Sequence, residues 1–428
     1  MIKKTRAILQ TSRFLMLFAS FATRGAGFLT SLLIARLAGA AALGVYSTLV
    51  YTSAAVATPF AQVLTNNSTV LGAAGGSDES AHHISHARAS FMLALMLAAL
   101  SALAFVLLYK FLLNDEASQS PVFLAVGVCV VIGQIIGGVG LGFLYRAGEF
   151  AHAARISAGM AIAVSLLAYP GIYTFGLNGA LTLLLVASLL PAALMGAKVL
   201  TKKHTAAHPL DAGPIAWKTV SSRFVRAWPS VAAATVNNFV NWLCTIYLVQ
   251  SAFGAVGVGV VAVAVQWLNL LLIPATSWGG VSLKALSDAI ASGKKEVAWH
   301  TATGLIRKNL LVTFVLAGSI ALGSGLIARA YGLHDTDFAL LIRLNAICAL
   351  VASINNIFER FLLALDRQGW WFAFSLASVL LQASLTYLLI EKGLWVSPIG
   401  ALAGSLLLCL LGYIGASKAL PIKVKEWQ

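Results

Sequence analysis

Residues 14–37 read FLMLFASFATRGAGFLTSLLIARL, an apolar stretch with one arginine, Arg24, near its middle and a second, Arg36, at its end. As an α-helix it would extend ~36 Å, enough to cross the ~30 Å hydrocarbon core of a bilayer. Similar stretches recur along all 428 residues, of which 59% are hydrophobic and only 10% are charged. Soluble domains carry about a quarter charged residues. The composition therefore excludes a soluble fold and predicts a membrane protein.

The apolar stretches predict transmembrane helices, because a helix satisfies its backbone hydrogen bonds within lipid. The alternating segments of a β-barrel are missing. We predict an all-α polytopic membrane protein with about twelve helices in two pseudo-symmetric six-helix bundles around a central cavity. The predicted spans are 14–37, 43–71, 88–113, 121–145, 153–175, 179–200, 223–250, 256–283, 305–330, 338–365, 370–390 and 397–419.

Short matches between the two halves predict an internal repeat. The triplet SRF occurs at 12–14 and at 222–224, and Pro59 and Pro274 lie 215 positions apart. Six spans per repeat give both repeats the same orientation, and two such bundles can rock against each other in alternating access. We predict an N-terminal bundle over 1–200, a cytoplasmic linker over 201–222 and a C-terminal bundle over 223–428.

Basic residues are distributed asymmetrically between the connections. Of 29 lysines and arginines, 23 fall at the termini and in alternate connections, and only four fall in the opposite ones. The positive-inside rule therefore predicts that both termini lie in the cytoplasm. It also accounts for the net charge of +15 without a nucleic-acid partner.

Sequence signatures of enzymes and metal sites are missing. The chain has no phosphate-binding Walker loop, no GxSxG elbow and no HExxH motif. Its four cysteines lie in separate apolar stretches without metal-ligand spacing. We therefore predict a protein that is not an enzyme and that has no cofactor and no metal site, with proton or sodium coupling as an option for transport.

Arg24 is the most informative residue, because it lies ~15 Å into the first span, near the bilayer centre. No acidic residue occurs within the first six predicted spans. An arginine at this depth costs roughly 3 kcal/mol on insertion scales. It either bonds to backbone carbonyls in a packed bundle or faces a hydrated cavity that receives an anion. Under the second reading it binds an anionic substrate group, and we include Arg36, near the other end of the span, in that role.

Polar side chains recur at helical spacing in four spans. They are either hydrogen-bonding links between helices or the lining of a shared cavity suited to sugar hydroxyls. The candidate lining residues are Ser20, Ser31, Gln62, Asn66, Asn237, Asn241, Gln266 and Asn269.

The tenth span carries a second polar group. Glu359 and Arg360 lie toward its inner end, where we predict a local ion pair or gate, together with Asn356. Glu359 is also the candidate carboxylate for ion coupling. Arg343 lies near the outer end, where it either belongs to the gate or extends to the interface.

Two segments resemble a known family. The segment ARLAG at 35–39, followed by LGVYS at 43–47, is similar to a pattern in the polysaccharide branch of the multidrug/oligosaccharidyl-lipid/polysaccharide (MOP) exporter superfamily. Trp228-Pro229 resembles the start of that branch's second half, and Arg24 lies where the branch commonly has a basic residue. Ala38 departs from the usual leucine.

The resemblance implies a Wzx-type flippase in the bacterial inner membrane. Its substrate would be a polyprenyl-pyrophosphate-linked oligosaccharide such as an O-antigen unit, moved from the cytoplasmic to the periplasmic leaflet by alternating access. Its partners would be this lipid-linked oligosaccharide, membrane lipid, and a polysaccharide polymerase with a chain-length regulator.

Three alternatives remain open from the sequence. A cation-coupled multidrug exporter would favour buried carboxylates, which the first half lacks. A flippase for the peptidoglycan lipid precursor is chemically close to the leading hypothesis. A membrane glycan polymerase or ligase would need a large outer loop, whereas the predicted outer connections are short.

Overall fold

The protein, described here by a computed structural model, is all-α. The structure describes residues 2–70, 79–112, 120–201, 213–277, 282–283, 286, 295–333, 337–365 and 367–419. Within these ranges, ten helical segments are long and apolar enough to cross a membrane. Two of them, Phe150–Leu200 and Trp228–Leu271, have 51 and 44 residues and are each broken by a glycine, which gives twelve spans. The predicted all-α multi-pass architecture is confirmed.

Each predicted span coincides with helix over most of its length, although α1, α3 and α10 begin nine to twelve residues earlier. Their bounds are α1 Ile2–Leu37, α2 Gly39–Val70, α3 Glu79–Leu112, α4 Pro121–Arg146, α5 Phe150–Thr201, α6 Gly213–Arg226, α7 Trp228–Trp242, α8 Leu248–Leu271, α9 Ile273–Ser277, α10 Lys295–Tyr331, α11 Phe338–Ala364, α12 Gln368–Leu389 and α13 Val396–Ala419. A π-helical turn, Leu243–Tyr247, joins α7 to α8, and a 3₁₀ turn, Ile390–Lys392, follows α12.

Glycines with positive φ separate consecutive spans. Gly176 (φ 56°) breaks α5, and Gly254 (φ 66°) breaks α8. Glycine alone adopts this backbone region without steric cost, so the chain reverses there with almost no loop. Gly39 (φ 90°) and Gly254 follow the first spans of the two predicted repeats and are 215 positions apart, the interval that also relates Pro59 to Pro274.

Two predicted spans differ from the observed helices because of proline. The eighth was predicted over 256–283, but α8 ends at Leu271, just before Pro274, whose ring removes an amide donor and clashes with the preceding turn. The seventh was predicted over 223–250, but the chain turns at Ala227 before Pro229, which separates α6 from α7. Pro59, by contrast, lies inside a continuous α2.

The described chain forms two compact units, Met1–Phe239 and Val240–Gln428. The division into bundles over 1–200 and 223–428 stays a prediction. Residues 202–212 of the predicted linker lie outside the described residues.

Close glycine contacts hold the first unit together around α4. A Cβ added at Gly138 would lie 2.6 Å from the carbonyl oxygen of Ala61 on α2, and one at Gly133 would lie 2.8 Å from that of Ser188 on α5. Thr65 of α2 also donates a hydrogen bond to the Gly138 carbonyl at 2.9 Å. The small residues of α4 thus bring two helix backbones into contact with it, as is typical of membrane helix packing.

In the second unit, α13 supplies the close contacts. A Cβ at Gly404 would lie 2.8 Å from the Ser378 carbonyl oxygen on α12. Ser378 donates a hydrogen bond to the Gly404 carbonyl at 2.8 Å, and Asn355 of α11 donates to the Ser405 carbonyl at 2.9 Å. Backbone carbonyls of α13 therefore accept side-chain bonds from both neighbours, which fixes the register of the three helices.

Candidate substrate site

Arg24 lies in an unbroken part of α1, ten residues into the apolar segment Leu15–Leu37. Its side chain is half-buried, and its Nη1 nitrogen is buried without a hydrogen-bond partner among the described residues. Buried charged donors are normally paired, because an unpaired one pays its full desolvation cost. The guanidinium therefore has at least one buried donor position without a partner in the described residues.

The surface beside Arg24 is open. A Cβ built at Gly25 or at Gly27 would meet nothing within 4 Å, and Thr23 is exposed. The helix therefore has little side-chain bulk next to Arg24, although Nη1 itself is shielded from solvent in this conformation.

The hydroxyl groups near Arg24 bond within α1. Ser20 donates to the Met16 carbonyl at 3.0 Å, and Thr23 donates to the Ala19 carbonyl at 2.8 Å. Their protons are used, whereas the lone pairs of the hydroxyl oxygens can still accept hydrogen bonds. Ser31 makes the same type of bond, to Gly27, and is fully buried. It therefore lines no exposed surface in this conformation.

Arg36 lies twelve residues after Arg24 on the same helix. That spacing places the two residues ~18 Å apart along the axis and about 120° apart around it. Arg36 is exposed at the helix end. One pyrophosphate group cannot bridge this separation, so the structure does not bring the two arginines together in one site.

The polar face of α2 divides into two parts. Thr65 and Thr69 donate to the carbonyls of Gly138 and Gly142, at 2.9 and 3.4 Å, and so link α2 to α4. Gln62 and Asn66, one turn apart, have exposed side chains. These two amides thus stay available for a ligand, while the threonines serve packing.

The amide residues around the π-helical turn have different environments. Asn237 is half-buried and donates to the Ala233 carbonyl of its own helix at 2.9 Å. Asn241 accepts a hydrogen bond of 2.9 Å from Gln382 of α12, which is buried. On α8, Asn269 is exposed and Gln266 is half-buried. Asn241 therefore takes part in an interhelical link, the alternative role that the sequence left open.

Residues of α11 also find partners. Arg360 donates through Nη1 to the main-chain oxygen of Asn356 at 3.0 Å and to its side-chain oxygen. Glu359 is half-buried and points about 100° away from Arg360 around the helix. Arg343 is exposed and donates through Nε to Ser324 of α10 at 3.0 Å. The hydrogen bond near the C-terminal end of α11 therefore joins Arg360 to Asn356 rather than to Glu359.

Gln382 is the main polar residue that sequence reasoning missed. It is buried and lies in helical register with Ser375, Ser378 and Thr386, all of them also buried. Four polar residues at spacings of three and four inside an apolar span indicate a polar helix face, so the sequence alone could have identified them.

No family model and no curated protein matches this chain. Solved structures do. A multidrug resistance MATE transporter of the MOP superfamily in the inward-facing conformation has a TM-score of 0.74 at 15% identity, covering 94% of this chain and 97% of that one. An outward-facing one has a TM-score of 0.68 at 15% identity, covering 96% and 94%. A MOP superfamily transporter from Pyrococcus furiosus has a TM-score of 0.70 at 14% identity, covering 96% of each chain.

Proposed function

We propose a function from the premise that this chain has the fold of the MOP superfamily transporters, as nearly full-length matches to several of their structures show. The similar proteins include inward-facing and outward-facing forms, the two end states of alternating access. Our proposal is that the chain is a flippase that moves polyprenyl-pyrophosphate-linked oligosaccharide from the cytoplasmic to the outer leaflet.

The observation that carries this proposal is the donor position of Arg24 at the centre of a span, unpartnered among the residues that the structure describes. A guanidinium binds phosphate oxygens through charge-assisted, often bidentate hydrogen bonds. The first six spans contain no carboxylate that would compete for it. The exposed amides of Gln62 and Asn66, on the neighbouring α2, offer donors and acceptors for sugar hydroxyls.

The proposed function also implies a membrane, an orientation and partner proteins. Both termini lie in the cytoplasm of a bacterial inner membrane, and the delivered oligosaccharide is taken up by a polymerase with a chain-length regulator. Arg36, remote from Arg24, would meet the headgroup at the outer end of α1 rather than share the site. Glu359 is the carboxylate proposed for ion coupling.

Reconstituted vesicles test the proposal. A fluorescent polyprenyl-pyrophosphate-linked saccharide in the inner leaflet becomes accessible to an aqueous quencher only after it is flipped. We expect Arg24→Ala to slow this step by about tenfold or more, the equivalent of one lost charge-assisted bond. Arg24→Lys should retain part of the rate, since it keeps the charge but loses the planar fork.

Lys110→Ala is the matched control, because it removes an exposed cation near the end of α3, away from the centre of any span. It should flip substrate at the parental rate. Parental flipping by Arg24→Ala in a correctly inserted protein would overturn the proposal.

A multidrug exporter is the second candidate, because several of the similar structures are multidrug MATE transporters. Against it stands the charge at Arg24, which repels the cationic compounds that such exporters usually carry. The Pyrococcus furiosus transporter, also similar in fold, is described with a binding pocket of reverse polarity that suggests a different function. A drug-susceptibility panel separates the candidates: resistance that is retained in Arg24→Ala would favour the exporter.

A further inference from the structure

Helix α6, Gly213–Arg226, is short and amphipathic, unlike the long apolar helix α5 that precedes it. Its sequence, GPIAWKTVSSRFVR, contains three basic residues and no acidic one, and its apolar and polar residues alternate at helical spacing. It follows α5 and precedes α7, so it lies between two spans without crossing the membrane itself. A short, basic and amphipathic helix next to spans is typical of a membrane surface.

One side of α6 packs against the first unit. Val220 is only 4% exposed, and the helix contacts α3 and α2. The ring of Phe224 meets that of Trp228 edge-on, with centroids 6.4 Å apart, which connects α6 to the first turn of α7. The helix is therefore held in place, and its other faces have fixed directions.

A second side of α6 is apolar and exposed. Trp217 is 37% exposed and Val225 is 69% exposed, and Trp228, just beyond the helix, is 55% exposed. At 100° per residue, Trp217 and Val225 lie within about 80° of each other, with the half-buried Ser221 between them. Exposed tryptophan next to the apolar end of a span is typical of the interfacial zone of a bilayer.

The third side is polar. Lys218 and Ser222, one turn apart, are both exposed. They lie about 100° and 140° from Trp217 around the helix, so the polar side adjoins the apolar exposed side. A helix with one side on protein, the next apolar and the next basic fits the boundary between acyl chains and headgroups.

We propose that α6 binds the surface of the adjacent leaflet, with Trp217 and Val225 among the acyl chains and Lys218 at anionic phospholipid headgroups. The complementary charge selects the partner: the helix carries positive residues only, and anionic lipids supply a negative surface. This inference does not depend on the substrate proposed above.

Two serines provide a matched test of orientation. Ser221 and Ser222 are neighbours, and both donate to a carbonyl three residues earlier, at 3.2 and 3.0 Å. Their directions differ by about 100°. Each is changed to cysteine in the full chain, reconstituted in nanodiscs of phosphatidylcholine and phosphatidylglycerol. The parent chain, with its four cysteines buried or half-buried, gives the labelling background.

We expect Ser222→Cys to react with a membrane-impermeant maleimide about tenfold faster than Ser221→Cys, because water surrounds only the former. A bimane at position 221 should be quenched by doxyl-labelled lipid and one at 222 by iodide in the buffer. Equal reactivity at both positions would overturn the proposal. Protection of position 221 from both quenchers would overturn it too, since protein rather than lipid would then cover α6.

The lipid preference is tested with Lys218→Gln. Association of spin-labelled phosphatidylglycerol with the full chain is compared with that of spin-labelled phosphatidylcholine. Loss of one cation near an anionic surface should lower the preference for phosphatidylglycerol up to about fivefold at the site concerned. Lys218→Arg, which keeps the charge, is the control and should leave it unchanged. An unchanged preference in Lys218→Gln would refute the headgroup contact.

Discussion

Arginines in membrane spans differ most in whether their nitrogens have partners. Arg343 donates to Ser324, and Arg360 donates to Asn356. The Nη1 of Arg24 is buried without a partner in the described part of the chain. Satisfied arginines contribute to the folded structure, whereas an unsatisfied one lowers stability unless something else binds it. This contrast separates Arg24 from the others more clearly than its position in the sequence does.

A stability measurement tests this contrast. Replacing Arg24 by methionine removes a poorly solvated charge while keeping the apolar stem, so the free energy of unfolding should rise by roughly 1–3 kcal/mol. Arg360→Met, the control, leaves the Asn356 oxygen without its donor and should lower stability by about 1 kcal/mol. Thermal unfolding in detergent measures both. A destabilised Arg24→Met would mean that the guanidinium bonds to the protein.

The Asn241–Gln382 bond allows a second prediction for single residues. Both amides belong to the second unit, where Gln382 is buried and Asn241 is exposed. Removing either amide leaves the other without its partner, so the two single alanine variants and the double variant should not be additive. We expect a coupling energy of about 0.6 kcal/mol, up to ~1.7, as for other hydrogen bonds between membrane helices. Denaturant titrations of the four proteins measure it, and zero coupling would contradict the bond.

At the scale of elements, hydropathy located every span but not its ends. Helix α3 begins at Glu79 and α10 at Lys295, whereas the spans were predicted from 88 and from 305. Apolar content marks where lipid begins, and a helix continues into water with polar residues, which hydropathy does not register. The breaks at Pro274 and Pro229 were missed because the same residue is tolerated in α2 at Pro59.

Periodicity likewise located polar faces but not their partners. The spacing of Asn237 and Asn241 places them one turn apart on a helix, yet only Asn241 meets a side chain of another helix. That partner, Gln382, lies 141 positions away in the sequence. A single sequence has no record of such a contact, so the choice between helix link and cavity lining required the fold.

Packing of α4 gives a prediction for an element. Gly138→Ala would place a Cβ 2.6 Å from the Ala61 carbonyl oxygen, so α2 and α4 must separate or shift. Overpacking of this kind typically costs 1–3 kcal/mol, and we expect the free energy of unfolding to fall by roughly this amount. Gly159→Ala on α5 is the control: its Cβ meets nothing within 4 Å, and alanine favours the helix by up to ~1 kcal/mol. Thermal unfolding of both variants in detergent should change in opposite directions.

For the whole molecule, paired glycines support a duplicated chain more strongly than the short sequence matches do. Gly39 and Gly254 reverse the chain after the first span of each predicted repeat, and Gly176 and Gly393 do so after the fifth. At Gly39, Gly176 and Gly254 a residue with positive φ replaces a long loop, whereas Gly393 follows a short 3₁₀ turn. Two spans that reverse through one glycine have little freedom to separate, so each pair should move as one body during transport.

Membrane potential should drive the proposed flipping, so the sign of the potential provides a test for the whole molecule. A membrane potential of 100 mV, negative inside, favours the outward movement of two uncompensated negative charges by about 4–5 kcal/mol. We therefore expect outward flipping in vesicles to accelerate when potassium and valinomycin impose an inside-negative potential, and to slow when the gradient is reversed. A neutral polyprenyl-linked saccharide should not respond to the potential. If flipping of the pyrophosphate substrate is equally insensitive to the potential, cations that move with the substrate must compensate its charge. Glu359 is then the first residue to replace, because it is the acidic residue of α11.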